Sequence, residues 1–193
     1  MHKDSVLKTA EQSIKTKQAF FTKKNAALIS ACAEIIAGSF KSGGKLLICG
    51  NGGSAADAQH LAAEFVNRFE IERPPLPAIA LTTDTSILTS IGNDYDFSQL
   101  FSKQLKALGT SGDVLLAIST SGGSTNVLRA VEAAAKLDIK SIALTGGDGG
   151  KVGKKADYNI NVASKKTARV QEVHITVCHI LCELVDKTLF KKV

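Results

Sequence analysis

The stretch CGNGGSAADAQH, residues 49–60, joins a short apolar run to a helix-forming segment through three glycines in four residues. The apolar run 45–49 has the length of a buried strand, and the alanine-rich stretch after the glycines predicts a helix over 54–69. Glycines at such a junction let backbone N–H groups approach an anion closely, and the helix N-terminus adds a partial positive charge. The stretch therefore predicts a strand, a loop and a helix with an anion site at the tip of the strand.

The alternation of strand and helix patterns continues outward from this unit. Apolar runs of strand length recur at 77–81, 114–118, 140–144 and 158–162, and helical patterns lie between them. Such alternation predicts an α/β fold in which helices cover both faces of a parallel β-sheet.

Both ends of the chain are predicted to be helical. Residues 5–40 have apolar residues at near-helical spacing, and Gly43 and Gly44 end this region. A last helix is predicted from about Ala168 to Phe190. A chain of 193 residues is long enough for one core, so we expect a single domain, residues 1–193. Its first 42 residues would form a helical segment that packs on the core.

Composition indicates a soluble protein. Hydrophobic residues make up 44% and charged residues 22% of the sequence, and no apolar run approaches the ~20 residues of a membrane span. The N-terminus is polar and resembles no secretory signal, so we expect a cytoplasmic protein without a membrane partner. The four cysteines lie in apolar contexts, which predicts buried thiols in a reducing compartment and disfavours a cysteine-based zinc site.

The net charge of +6 does not indicate a nucleic-acid partner. The lysines are scattered along the chain, and aromatic residues make up only 5% of it, without alternation with basic residues. A modest positive charge also suits a protein that takes anionic metabolites.

Two further loops repeat the glycine-rich pattern after strands. The segment STSGGSTN, residues 119–126, follows the third predicted strand, and TGGDGG, residues 145–150, follows the fourth. Ligands of open α/β sheets bind beyond the carboxyl ends of the strands. The density of hydroxyls in the first of these loops suits a phosphomonoester, which has three oxygens to satisfy.

Other interpretations of these loops remain open at this point. Glycine and serine are also common turn and cap residues, and Ser54 with Asp57 forms a possible capping box. A Walker A loop is excluded because no lysine follows Gly53. GNGGSA fits the dinucleotide fingerprint and Asp84 closes the next strand, but that fingerprint leaves STSGGST unexplained.

A second group of polar residues lies in two apolar helices. His60 and Glu64 are four residues apart and share a helix face, and Gln171 and His179 lie near one face of the last helix. Two imidazoles, a carboxylate and an amide oxygen form a mixed ligand set that Zn²⁺ accepts. Glu64 and His179 also form an acid/base pair. The alternative is that these are core polar residues with satisfied hydrogen bonds.

The motifs together resemble a known family. CGNGGSAADAQH with Glu64, GNDYDF, ISTSGGSTNV, LTGGDGG and RVQEVHITVCHI look like the bacterial sedoheptulose-7-phosphate isomerases, or phosphoheptose isomerases, of the sugar-isomerase (SIS) fold. The similarity covers nearly the whole chain. The loop STSGGS alone would indicate only the superfamily, and the four residues on the two helices make the resemblance specific.

The resemblance implies a homotetramer with its sites between subunits, and a substrate that is a phosphorylated seven-carbon ketose. It implies a substrate-binding set that comprises Asn51, Gly52, Gly53, Ser54, Glu64, Asn93, Asp94, Ser119, Thr120, Ser121, Ser124 and Gln171. It implies one Zn²⁺ per subunit, held by His60, Glu64, Gln171 and His179. Glu64 and His179 would be the catalytic acid/base pair. Ala168 departs from the pattern, since some members carry an aspartate there.

Two functional alternatives stay open beside this one. A non-catalytic SIS module could bind a sugar phosphate or a protein partner for regulation, although it would not need the four helix residues together. A different SIS isomerase could act on a hexose or pentose phosphate. The sequence also leaves open whether zinc is catalytic or structural, and whether Glu64 or His179 acts at carbon.

Overall fold

The computed structural model describes residues 2–190, and its centre is a sheet of five parallel strands. In chain order these are β1 (Leu46–Gly50), β2 (Ala78–Ala80), β3 (Val114–Ser119), β4 (Lys140–Gly146) and β5 (Tyr158–Val162). Their order across the sheet is β2-β1-β3-β4-β5. Because the order reverses between β1 and β3, the loops after these two strands diverge and open a crevice at the carboxyl end of the sheet.

Helices cover both faces of this sheet. The helices are α1 (Lys3–Phe20), α2 (Lys23–Lys41), α3 (Gly53–Val66), α4 (Thr85–Asp94), α5 (Leu100–Leu108), α6 (Thr125–Lys136), α7 (Gly150–Lys155) and α8 (Thr167–Phe190), with a 3₁₀ turn at Phe97–Gln99. One core forms where α2, α3 and α8 pack on one face. A second core forms under α4 to α7 on the other face. The predicted α/β fold is confirmed.

Alternation along the strands supplies both cores. Leu46 and Ile48 of β1 point into the core under α3 and α8, whereas Leu47 and Cys49 point into the other. All five residues of β1 are buried, as expected for a central parallel strand. The four thiols of the sequence are free and buried, and burial raises the pKa of Cys49 to about 12.

The structure corrects three details of the prediction. The N-terminal helical region is two helices, because Thr22 interrupts it and its hydroxyl caps α2 by accepting a hydrogen bond from Asn25 N at 3.3 Å. Helix α3 ends at Val66, earlier than the predicted 69. Helix α7 was not predicted, since its six residues follow directly from the glycines of the loop after β4.

Candidate active site

The first loop brings β1 into α3 without a side-chain cap. Gly52 is the N-cap of α3 with a φ of +56°, a conformation that favours glycine, and it offers no side chain to the helix N-terminus. Ser54 is buried inside the first turn, and its backbone N–H donates to Asn51 O at 3.0 Å. The capping-box interpretation of Ser54 and Asp57 is therefore wrong, and the start of α3 remains available to an anion.

The second loop, residues 119–124, has the same property. Ser124 is the N-cap of α6, but its hydroxyl accepts from Ser119 Oγ at 3.0 Å and does not cap the helix. Ser121 Oγ accepts from Gly123 N at 3.1 Å, which shapes the turn. Two helices that follow neighbouring strands thus begin without side-chain caps. This arrangement supports the predicted phosphate site.

A reciprocal amide pair joins the two loops across the crevice. Asn51 Nδ2 donates to Asn126 Oδ1 at 2.9 Å, and Asn126 Nδ2 donates to Asn51 Oδ1 at 2.8 Å. Asn126 is almost fully buried. The side chain of Asn51 is therefore held by the protein. Sequence reasoning missed the role of Asn126 because its partner lies 75 positions away.

The third glycine loop, residues 145–150, supports the second. Gly122 and Gly150 both have positive φ, at +63° and +54°, and a Cβ on either would collide with backbone atoms of the other loop. Val152 N also donates to Gly122 O at 2.9 Å. The glycines after β4 therefore serve close backbone packing behind the phosphate loop.

The helices α3 and α8 bring three of the four predicted polar residues together. His60 Nε2 and His179 Nε2 are 2.9 Å apart, and Glu64 Oε1 lies 3.4 Å from His60 Nε2. Phe69 stacks on the His179 ring with a centroid separation of 5.6 Å. The side chain of His60 is 47% exposed and that of Glu64 21%, so the group opens to the outside of the helix pair.

Gln171 lies elsewhere on α8. A side chain at position 53 would collide with the Gln171 amide, so this residue faces the start of α3. Eight residues separate it from His179, which is about 12 Å along the helix. In residues 2–190, no group of three or more His, Cys, Asp or Glu side chains is arranged to hold a metal ion.

Asp57 is an acidic residue on the same helix face, which the sequence suggests only as the partner of Ser54 in the alternative capping box. It lies seven residues before Glu64, or two turns of α3. Its Oδ2 atom is buried and has no hydrogen-bond partner within the described residues. Burial raises the pKa of this carboxyl, although the nearby His60 opposes the shift. The sequence signal for this residue is its spacing, because positions 53, 57, 60 and 64 share one face of a helix.

Asn93 and Asp94 end α4 and are exposed. Asn93 Nδ2 donates to Asp94 Oδ1 at 2.8 Å. A cavity of about 180 Å³ lies between the first loop and the apolar side chains of Leu88 and Phe97, and neither of the two polar residues lines it. Their contact with substrate stays a prediction.

Comparison with known proteins shows the family of this chain. The family model of the SIS domain matches residues 11–146. A phosphoheptose isomerase of Thermodesulfovibrio yellowstonii is 57% identical over 97% of this chain and 93% of its own length. One of Aromatoleum aromaticum is 61% identical over 83% of each chain. This chain belongs to the phosphoheptose isomerase family of SIS-domain proteins.

Solved structures agree with this family membership. The structure of a phosphoheptose isomerase from Francisella tularensis superposes with a TM-score of 0.93 at 43% identity, covering 97% of this chain and 99% of that one. The SIS match ends before α8, whereas the match to the Thermodesulfovibrio relative covers 97% of the chain and so includes the helix of Gln171 and His179. Within residues 2–190, no helix is long and apolar enough to cross a membrane.

Proposed function

We propose that this protein is an aldose–ketose isomerase that converts D-sedoheptulose 7-phosphate into D-glycero-D-manno-heptose 7-phosphate. The meeting of His60, Glu64 and His179 carries the proposal, because it places acid/base groups together in a chain that also has two uncapped phosphate-type loops. Membership of the phosphoheptose isomerase family supports the same activity. The product would feed nucleotide-heptose synthesis for surface glycans.

The reaction moves one proton between carbons and needs no oxidant. Glu64 as base removes a proton from C1 of the ketose, and the C2 oxygen gains a proton, which gives an enediol. The proton then returns at C2 while O1 loses its own proton, and the aldose results. His179 is the group proposed to hold a proton and return it at the substrate oxygens O1 and O2, since its Nε2 lies within hydrogen-bond distance, 2.9 Å, of His60 Nε2.

The substrate phosphate is assigned to the two uncapped loops. Backbone N–H groups at the starts of α3 and α6 supply the donors, with hydroxyls of Ser119, Thr120, Ser121 and Ser124 beside them. Gln171 lies against Gly53, and this contact supports a role in binding the sugar next to the first loop.

A zinc ion is part of the proposal. His60 and His179 suit it because their Nε2 atoms lie only 2.9 Å apart, and Glu64 Oε1 is 3.4 Å from that of His60. Gln171 is the member of the predicted set that one chain does not bring to the others. When bound, zinc would act as a Lewis acid toward the substrate carbonyl. One zinc per subunit is expected, and elemental analysis tests it.

We also propose a cytoplasmic homotetramer with sites between subunits. Val6, Leu7 and Ile14 on α1 are 65%, 69% and 56% exposed, so the first helix offers apolar surface to another copy. Glu64 lies about 16 Å along α3 from Gly53, which favours a site completed by a neighbouring subunit. Light scattering that shows a fully active monomer of 20.3 kDa would reject this assembly.

The decisive experiment offers the purified protein a panel of ketose phosphates with five, six and seven carbons. Aldose formation is followed by NMR. We expect turnover of the seven-carbon substrate, and faster turnover of a pentose or hexose phosphate would favour the other SIS isomerase. Binding of the phosphates without turnover would favour the non-catalytic module.

A further inference from the structure

A buried arginine lies behind the candidate active site, in the connection between α3 and β2. The side chain of Arg73 is only 1% exposed, and it makes its contacts with two helices at once. Its Nη2 donates to Glu64 O at 2.8 Å and its Nη1 donates to Phe65 O at 2.7 Å, both at the end of α3. Its Nε donates to Asp186 Oδ1 on α8, also at 2.8 Å.

The two helices joined in this way are the ones that carry the acid/base residues. They run side by side in the same direction, because Gly53 meets Gln171 at one end and His60 meets His179 further along. Asp186 follows His179 by seven residues, which is two helical turns. Arg73 thus links the peptide of Glu64 itself to the α8 face near His179.

The chemistry of the contact requires a guanidinium. Two helix carbonyls and one carboxylate accept from three different nitrogens of the same planar group, which a single ammonium cannot reproduce. A buried ion pair of this kind contributes little net stability compared with an apolar pair, whereas removal of one partner leaves a buried charge. Asp186 Oδ2 is itself buried without a partner within the described residues. Stability alone therefore gives no account of the pair.

We propose that Arg73 and Asp186 are positioning residues that set the separation and rotation of α3 against α8, and so hold Glu64 and His60 in reach of His179. Only the expected change in kcat rests on the proposed isomerase function. The geometric part concerns the histidine pair and stands without substrate or metal.

The first test reads the histidine rings directly. The chain has four histidines, so labelling their rings gives a simple NMR spectrum in which His2, outside both helices, serves as the internal reference. Asp186→Asn keeps the shape of the side chain and removes its charge. Arg73→Met keeps most of the volume, and Arg73→Lys keeps only the charge. We expect all three to shift the ring signals of His60 and His179, with the smallest shift in Arg73→Lys.

Asp113→Asn is the matched control. Asp113 is also buried and ion-paired, with Lys45 Nζ at 2.7 Å, but it lies at the start of β3, where it bonds to the segment before β1. Its replacement should lower the unfolding midpoint and leave the His60 and His179 signals in place. Unmoved signals in Asp186→Asn and Arg73→Lys would overturn the proposal, even if Arg73→Met fails to fold. Equal shifts in Asp113→Asn would overturn it too.

The second test separates positioning from binding. Because the phosphate loops lie at the other end of α3, KM should change less than twofold while kcat falls about 10–100-fold, as a small misplacement of reacting groups produces. Zinc affinity, measured by competition with a chelating dye, should fall by a similar factor. A rise in KM at unchanged kcat would contradict the proposal. If the wild type isomerises nothing, the proposed function fails, and the ring signals still decide the positioning role.

Discussion

The two ends of the sheet treat polar side chains in opposite ways. At the end where the strands begin, Asp113 accepts from the backbone N–H groups of Lys45 and Thr110 at 2.9 and 2.8 Å. Asp157 accepts from both the N–H and the hydroxyl of Ser141. Burial tends to raise the pKa of both carboxyls. For Asp113 the Lys45 ammonium and the two N–H bonds outweigh it, for Asp157 mainly the Ser141 bonds do, and each pKa lies below its ordinary value.

At the end where the strands finish, the helix starts differ in whether the preceding residue caps them. Helix α4, which follows the edge strand β2, is capped by Asp84, whose Oδ1 accepts from Ile87 N at 2.9 Å. Helices α3 and α6 begin at the crevice with no side-chain cap. Helices α1, α5 and α7 also begin without a side-chain cap, so the missing caps alone do not mark the site. What distinguishes α3 and α6 is that they follow β1 and β3, the two strands that flank the crevice, where a ligand phosphate would take the place of a side chain.

The largest expected effect tests whether the helix pair carries the chemistry. Glu64→Gln keeps the shape but removes the base, and His179→Gln removes the imidazole. Each should lower kcat by about 10²–10⁴-fold. Calorimetry should show that Glu64→Gln still binds the sugar phosphate, because the loops are intact. Near-normal kcat in Glu64→Gln would refute the base assignment, and joint loss of zinc and binding would point to a ligand role.

The second prediction concerns a histidine buried beneath the site. His174 is fully buried, its Nε2 lies 3.0 Å from Thr145 O, and burial lowers its pKa to about 4 despite that hydrogen bond. Below pH 6.5 the unfolded chain takes up a proton here that the folded chain refuses until about pH 4. The free energy of unfolding should therefore fall as pH drops through this window, by on the order of 3 kcal/mol.

Denaturant melts at pH 7, 6 and 5 measure this slope. His174→Gln lacks the titrating ring while keeping an amide that can donate to Thr145 O. The stability of wild type relative to this variant should decline with falling pH. A constant difference between the two proteins across the window would show that His174 does not remain neutral in the folded state.

The third prediction compares hydroxyls at the two ends. Ser124→Ala should weaken binding of the sugar phosphate by about 1–3 kcal/mol, because it removes a polar partner from the phosphate loop. Ser121→Ala should act in the same direction. Ser141→Ala, at the start of β4, is the control: it should lower stability and leave KM unchanged. An unchanged KM in both loop variants would remove the phosphate assignment.

The smallest effect belongs to the end where the strands begin. Asp113→Asn keeps one acceptor oxygen and loses the charge that pairs with Lys45, so the free energy of unfolding at pH 7 should fall by about 1 kcal/mol. KM should remain that of the wild type. A change in KM would mean that the two ends of the sheet are coupled, which would contradict the comparison drawn above.

The sequence predicts what local patterns encode. The strands were located to within two residues, because each is a short apolar run bounded by polar or small residues. The break at Thr22 was missed, since no glycine or proline marks it. The alternative of a capping box at Ser54 is wrong because Gly52 is the N-cap of α3, which places Ser54 inside the first turn.

The sequence predicts which residues share a helix face, but not which residue of the neighbouring helix each of them contacts. Helical spacing correctly placed Gln171 and His179 near one face of α8, yet only the packing against α3 shows that Gln171 meets Gly53 while His179 meets His60. Contacts between distant positions left no local signal. Arg73 and Asp186 are 113 residues apart, and neither belongs to a recognisable motif.

The contact between the second and third glycine loops also constrains how this sequence can evolve. A methyl group at 122 would strike the carbonyl of Gly149, and one at 150 would strike the carbonyl of Gly122. Neither collision is relieved by a change at the other position, because each involves backbone that every amino acid shares. No substitution at one position can therefore compensate for a substitution at the other. A mutational library selected for folded loops should return glycine at both positions, without covariation between them.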